Sequence, residues 1–389
     1  MFVPQEQPSV IATSRRNVTI GVPASESEAE RRYPITPEAA GMLTDRGFTV
    51  RIETGAADSI HYTDTQYIQA GASVTTRQEA LKSDIVLHLA PIARADARQL
   101  QRGALLLTLF HQSAQDPAAL CTLLERGITS IALDLITDNR GNMPFADILA
   151  EIDGRASIAI ASSLLADASR GKGILIGGIA GIVPCEVTVI GSGIAALAAA
   201  RSSLGLGAMV RMFDNDVYRL RGAIRELGSA VTGSAIIPHV LLGALRSADI
   251  VVATPLKTPH ILSSDIAREM KRGVITFDLA HSTCPTFPWM PTIDLASATP
   301  ADNDMACNRR TCYINAGNAV PRTAAMALSN AFITMLSDIT AAEGVTNALK
   351  IMPGLRNAVY TFMGHPVNRT TAQTLSMRYV DINFFLQLS

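Results

Sequence analysis

Residues 187–196 read Val-Thr-Val-Ile-Gly-Ser-Gly-Ile-Ala-Ala, and the next apolar run, Ala-Met-Val-Arg-Met-Phe, ends on Asp214. A Gly-x-Gly-x-x-Ala turn between a buried strand and an alanine-rich helix suits one kind of chemistry. Gly191 permits the tight turn, Gly193 lets a pyrophosphate approach the backbone, and Ala196 keeps the helix close to the sheet. Ser192 and Ile194 complete the turn, and the helix start offers free N–H groups and the positive end of its dipole to phosphate. Asp214, with Asn215 beside it, follows about 20 residues later, where a carboxylate holds adenosine ribose hydroxyls. That acid disfavours a 2′-phosphate, so the pattern predicts NAD rather than NADP. The competing reading is a strand–helix–strand unit whose crevice holds nothing.

The elements that must position this turn fit a two-domain chain. At 389 residues there is enough apolar sequence for two cores. Net charge is −1 and charged residues make up 17 %, which points away from nucleic acid and anionic membranes as partners. The five cysteines are scattered without a C-x-x-C pair, as expected of a reducing cytoplasm and no zinc ribbon. The first residues lack the basic-then-apolar pattern of a signal peptide. Gly173 to Gly191 is nearly uncharged and as long as a membrane span, but its glycines and Pro184 predict a loop and a buried strand.

Strand-length apolar runs at Val18–Val22, Phe48–Ile52, Asp84–Leu89, Ala104–Phe110 and Thr129–Leu133 alternate with helical stretches such as Pro37–Arg46 and Pro117–Arg126. A long helix is expected over 144–169. Further strands are expected at Glu186–Ile190, Ala208–Asp214, weakly near Ala230–Val231, Ile250–Ala253 and Val274–Leu279. A helix at Ile237–Ala248 and a second long one at Arg322–Ala341 complete the pattern. This predicts an α/β chain of two Rossmann-like domains with mostly parallel sheets, joined by two long helices around a cleft. Residues 144–321 would form the NAD-binding domain. Residues 1–143 and 322–389 would form a discontinuous substrate domain.

Several blocks in order resemble the family of alanine dehydrogenase and the related NAD-binding subunit of proton-translocating transhydrogenase. They are Ile20-Gly-Val-Pro, Glu30-Arg-Arg-Tyr-Pro-Ile-Thr-Pro37, Leu107-Thr-Leu-Phe-His111, Gly171-Lys-Gly-Ile-Leu-Ile-Gly-Gly-Ile-Ala-Gly181, and Arg322-Thr-Ala-Ala-Met-Ala-Leu-Ser-Asn330. Phe213 to Arg221 and Pro353 to Tyr360 resemble the alanine dehydrogenases of Bacteroidetes-like bacteria. The resemblance implies hydride transfer between NAD and a small amino or 2-oxo acid in a soluble cytoplasmic homo-oligomer, commonly a hexamer.

It also implies roles for individual residues. Arg32 matches the arginine that holds the substrate carboxylate; by position alone it reads as a surface arginine paired with Glu30. His111, at the C-terminal edge of its strand, matches the proton-relaying histidine. Asn315 matches an asparagine near the nicotinamide. Three departures stand out. The family's lysine after the third strand is missing from Leu87-His-Leu-Ala-Pro91, where His88 or Ala90 holds its place. His88 then reads either as a titratable hydrogen-bond donor or as a strand-end structural histidine. The family's second aspartate in Asp-Ile-Ala-Ile-Asp is Ser282 here, whose hydroxyl cannot serve as the same proton acceptor. Leu149-Ala-Glu151 replaces Met-Ser-Glu, which removes a hydroxyl. These departures leave open a cofactor-binding protein with impaired deamination, or a dehydrogenase for a different small amino or 2-oxo acid in which His88 and His281 form an altered relay.

Overall fold

Parallel strands covered on both faces are mostly apolar along their length, and the central strands at Ile85–Leu87, Leu105–Thr108, Ile250–Ala253 and Ile275–Asp278 are buried throughout. The computed structural model describes residues 18–27, 30–110, 114–282, 284–297 and 311–388. Strands β1 (Thr19–Val22), β2 (Thr49–Glu53), β3 (Ser73–Thr75), β4 (Ile85–Leu87), β5 (Leu105–Thr108) and β6 (Thr129–Ala132) pair in parallel in the order β3-β2-β1-β4-β5-β6. The second sheet holds β7 (Glu186–Ile190), β8 (Met209–Phe213), β9 (Val231–Ser234), β10 (Ile250–Ala253), β11 (Ile275–Asp278), β12 (Thr292–Asp294) and β13 (Cys312–Ile314). Its order is β9-β8-β7-β10-β11-β13-β12, all parallel. The tail then returns to the first sheet. β14 (Val359–Phe362) pairs antiparallel with β6, and β15 (His365–Pro366) pairs with β14. The expected α/β architecture with two mostly parallel sheets is therefore observed. In each sheet the order reverses at the first strand, and ligands bind open α/β sheets at the C-terminal edge of such a reversal.

Five helices frame the loops at these edges. α1 (Pro37–Asp45) starts with proline in its first turn and is capped by Thr36, whose side chain accepts from Ala39 N. α2 (Pro144–Ala166) spans the molecule, α3 (Ile194–Gly205) follows the glycine turn, α4 (Val217–Leu227) follows Asp214, and α5 (Pro321–Ala341) leads into the tail. The N-terminal part of α2 puts Phe145 and Leu149 into the core of the first sheet. Its later turns put Ala156, Ile158, Ala161, Leu164 and Leu165 into the core of the second. α5 buries Ala325, Leu328, Phe332 and Leu336 in the first core. It is long and apolar enough to cross a membrane, yet half of that stretch is covered inside the fold.

Several expectations shift at their edges. The helix expected over 144–169 stops at Ala166, because the Asp167 carboxylate accepts from Ser169 N (2.8 Å) and Arg170 Nε (2.5 Å) and turns the chain away. Gly173 to Gly191 forms a loop with a single bridge between Ile179 and Ile182, followed by β7. The three-residue strands β3, β12 and β13 carry too little periodicity to be read from sequence.

α2 and α3 pack so closely that a Cβ on Gly154 would collide with the Ala195 carbonyl and lie 2.9 Å from Ala198 Cβ. Gly154→Ala is accordingly expected to cost about 1–3 kcal/mol of stability through overpacking. A denaturant midpoint equal to that of the unaltered protein would refute this account of the helix crossing.

Candidate functional site

The glycine turn has the geometry its sequence calls for. Gly191 sits at φ +111, which favours glycine, and a Cβ there would collide with Thr254 Oγ1. Thr254 follows β10 and is fixed by its own hydroxyl, which donates to Ile190 O (3.0 Å). Gly193 is the N-cap of α3 and brings no side-chain cap, so the first N–H groups of the helix have no side-chain acceptor there. The Arg219 guanidinium lies over Gly193, where a Cβ would strike it. Asp214 is buried and already oriented. Its Oδ2 accepts from Ser192 Oγ (2.5 Å) and its Oδ1 from Asp216 N (2.9 Å). Each oxygen keeps a lone pair for a further donor. Ala196 is buried against the sheet, while Ile194 and Asn215 are exposed. A cradle without Cβ atoms, an uncapped helix start, an arginine above it and a fixed carboxylate fit the diphosphate and ribose of a dinucleotide.

A second group gathers where the two sheets' loops meet. Arg32, in the loop between β1 and α1, is buried and held on one side by Glu30. Its Nε donates to Glu30 Oε1 (2.7 Å), its Nη2 donates to Glu30 Oε2, and its backbone N also donates to Oε1 (3.0 Å). Burial by itself disfavours the guanidinium charge. Glu30, with Asp153 and Asp134 beyond it, outweighs that effect, and the net shift of the Arg32 pKa is upward. Nη1 has no partner among the described residues, so one edge of the guanidinium is open to a ligand. The loop itself is tied across the seam: Arg31 N donates to Asn318 Oδ1 (2.9 Å), and Arg31 Nη1 to Ala296 O (3.4 Å). Asp153, from the middle of α2, joins the same place. Its Oδ1 accepts from Gly317 N (2.7 Å), and a Cβ on Gly317 would collide with that oxygen. Burial pushes the Asp153 carboxyl upward, against the pull of Arg32 and the Gly317 N–H.

The remaining expected residues are not all brought together. Asn315 sits beside this group with a left-handed backbone, φ 56, and its Nδ2 donates to Asp294 Oδ1 (2.9 Å). His88 is buried, and its Nδ1 pairs with Ala90 O (2.7 Å). Burial, with Arg77 nearby, lowers its pKa, and its Nε2 has no partner among the described residues. The charges acting on it belong to the Arg77–Asp96 pair beneath the β1 loop rather than to Arg32. Ser282 is exposed in the loop after β11. The carboxylate at the end of β11, Asp278, is engaged by Ala280 N (3.1 Å), Thr286 N (2.7 Å) and Phe287 N (3.3 Å) of that loop. His111 lies outside the described residues. Phe110 before it is fixed on both sides, its N–H donating to Asp134 Oδ1 (2.7 Å) and its carbonyl accepting from Gln115 Nε2.

Two family models match this chain: the alanine dehydrogenase/PNT N-terminal domain over residues 21–153 and the C-terminal domain over 157–369. The chain belongs to the alanine dehydrogenase/PNT family. It is 29% identical over 370 residues to alanine dehydrogenase of Mycobacterium tuberculosis, covering 93% of this chain and 98% of that one. It is 27% identical over 380 residues to alanine dehydrogenase 2 of Staphylococcus aureus, covering 95% and 100%. Among solved structures, an L-alanine dehydrogenase superposes with TM-score 0.80 at 24% identity, covering 92% of this chain and 99% of that one. A transhydrogenase from Sinorhizobium meliloti gives 0.72 at 20% identity, covering 91% and 99%. These likenesses establish the shared fold. Within this alanine dehydrogenase/PNT fold, sequence reasoning missed Thr254, Arg219 and Asp153. Each acquires its place only when separate elements cross.

The Glu30–Arg32 pair is a buried ion pair, with side-chain exposures of 3% and 8%. Arg32→Met is expected to lower stability by about 3 kcal/mol, since it leaves Glu30 buried without its counter-charge. Arg32→Met combined with Glu30→Leu should recover much of that loss in urea denaturation. A double variant less stable than the single one would contradict this reading.

Proposed function

We propose that this chain is an NAD-dependent dehydrogenase of the alanine dehydrogenase type. It would convert L-alanine, NAD+ and water to pyruvate, ammonium, NADH and a proton. The observation that carries the reading is the pairing of Arg32 and the glycine turn. A fixed guanidinium with one free edge sits on a loop tied by Arg31 to the nucleotide-binding half, whose own turn suits a dinucleotide. NAD, when bound, supplies the hydride acceptor. Arg32 holds the substrate carboxylate, and the proton relay falls to His111, whose preceding residue is firmly anchored. Asn315, kept in place by Asp294, lines the same seam.

A second reading, an NAD(H)-binding protein with impaired deamination, is favoured by one pair of features. His88 is covered beneath the β1 loop, and Ser282 offers a hydroxyl where the family has a carboxylate. NADH oxidation with pyruvate and ammonium, set beside titration of NADH binding, separates the two. Turnover that His111→Ala abolishes is the expected result, and tight binding without any turnover would reject the enzyme. NAD should bind at least about tenfold more tightly than NADP, the scale of one lost carboxylate contact and a desolvated like charge. Equal affinities would remove Asp214 from its assigned role.

We further propose a cytoplasmic homo-oligomer, a hexamer by family resemblance. The four described cysteines are unpaired, in keeping with a reducing compartment. Leu175, Ile179, Ile182 and Val183 expose large apolar side chains beside Leu206 and Met209, a patch that suits a second copy of the chain. Ile182→Asp combined with Val183→Asp should therefore shift the protein to a smaller species in sedimentation. An unchanged assembly would place the interface elsewhere.

A further inference from the structure

Removing a hydride from the α-carbon of an amino acid requires a nitrogen lone pair to form the C=N bond. The α-ammonium group has none until it loses a proton. The family's aspartate is absent at Ser282, and Asp278 at the end of the preceding strand is taken up by three backbone N–H groups. His88 lies with Arg77 and Asp96. The described carboxylates that act on Arg32 are Glu30, Asp153 and Asp134. Glu30 is engaged on both oxygens by Arg32, and Asp134 holds Phe110 N and has a further interaction besides. Asp153 is different. One oxygen suffices for Gly317 N, and the other has no partner among the described residues. The residue is partly exposed at the seam, in the middle of a helix that is otherwise anchored in both cores.

We propose that Asp153 receives the nitrogen of the amino-acid substrate, pairing with its α-ammonium group and accepting the proton that this group releases. The step balances simply. An N–H bond breaks and an O–H bond forms, so carboxylate and ammonium become carboxylic acid and amine. Glu30 and Arg32 on the β1 loop are the charged groups that act on Asp153, and the Gly317 segment contributes only its N–H. The same short segment ties both residues together, since Arg31 N donates to Asn318 Oδ1 (2.9 Å) and Gly317 N to Asp153 Oδ1 (2.7 Å), and a 2-amino acid carries opposite charges on neighbouring groups. Its carboxylate then meets Arg32 while its ammonium meets Asp153. A 2-oxo acid offers only the first contact, so Asp153 selects for the amino acid. The inference rests on the dehydrogenase reading above.

The test is equilibrium binding in the two unreactive pairings, L-alanine with the NADH-loaded protein and pyruvate with the NAD-loaded protein, followed by calorimetry. Asp153→Asn keeps an oxygen for Gly317 N but loses the charge. It should weaken L-alanine by roughly 10- to 100-fold, the scale of a hydrogen bond between charged groups, and leave pyruvate unchanged. Asp153→Glu, which restores the charge, should recover part of the L-alanine affinity. Equal weakening of both ligands would make Asp153 a structural anchor of the Gly317 turn, and no change in either would overturn the proposal alone. Unaltered protein that binds NAD and NADH but neither small ligand would overturn the dehydrogenase reading, and this proposal with it.

Discussion

A single helix that serves two hydrophobic cores constrains everything else in this molecule. α2 commits Phe145 and Leu149 to the first core and Ala156 through Leu165 to the second. Cores pack to crystalline density, so a helix shared in this way cannot slide along its axis without opening voids in both. The turn between the two sets, around Ile152 to Gly154, is where the helix crosses the seam. The chain accommodates the crossing with small residues. Gly154 lets α3 approach from one side and Gly317 lets the segment after β13 approach Asp153 from another. Loops from both sheets then meet at a place whose geometry is set by apolar packing on either side of it.

That constraint explains which features were legible in the sequence. The central strands of both sheets show as apolar runs because they are covered on both faces, and the glycine turn shows because its backbone demands particular residues at particular positions. Arg32 was legible only as part of a block of matched residues. Taken alone, an arginine two residues from a glutamate reads as a surface pair; here it is a buried one with one edge left open. Asp153 gave no signal. In a long helix an isolated aspartate resembles the polar residues of a solvent-facing stripe, and only the approach of Gly317 distinguishes it. Arg219 is equally silent, since its place over Gly193 depends on how α4 crosses the turn. β14 lies far along the chain from β6, and such pairing is a tertiary fact that local pattern does not encode.

The Glu30–Arg32 pair shows why a buried arginine is not left alone. A buried guanidinium without a counter-charge would be strongly destabilising, and an isolated one would also be free to choose among rotamers. Glu30 answers both problems by gripping one edge and the backbone N–H of the same residue. Its cost is neutralisation: the net charge offered to any incoming anion is smaller than a free arginine would give. Directional hydrogen bonding from the open edge then matters more than long-range attraction, which favours a ligand able to accept in the guanidinium plane.

The loop after β11 faces a similar competition. A carboxylate there has to choose between holding the loop and reaching a ligand, and Asp278 is committed to holding it through three backbone donors. Ser282 then leaves that loop without a second acid. Deprotonating an amino acid, however, requires a base near the substrate nitrogen and does not specify which element provides it. α2 passes through the seam on its way between the cores and presents Asp153 there with one oxygen uncommitted among the described residues. Moving the acid from a loop to a helix anchored at both ends also changes its character. A loop carboxylate can swing with its loop, whereas Asp153 rides on a helix packed into two cores.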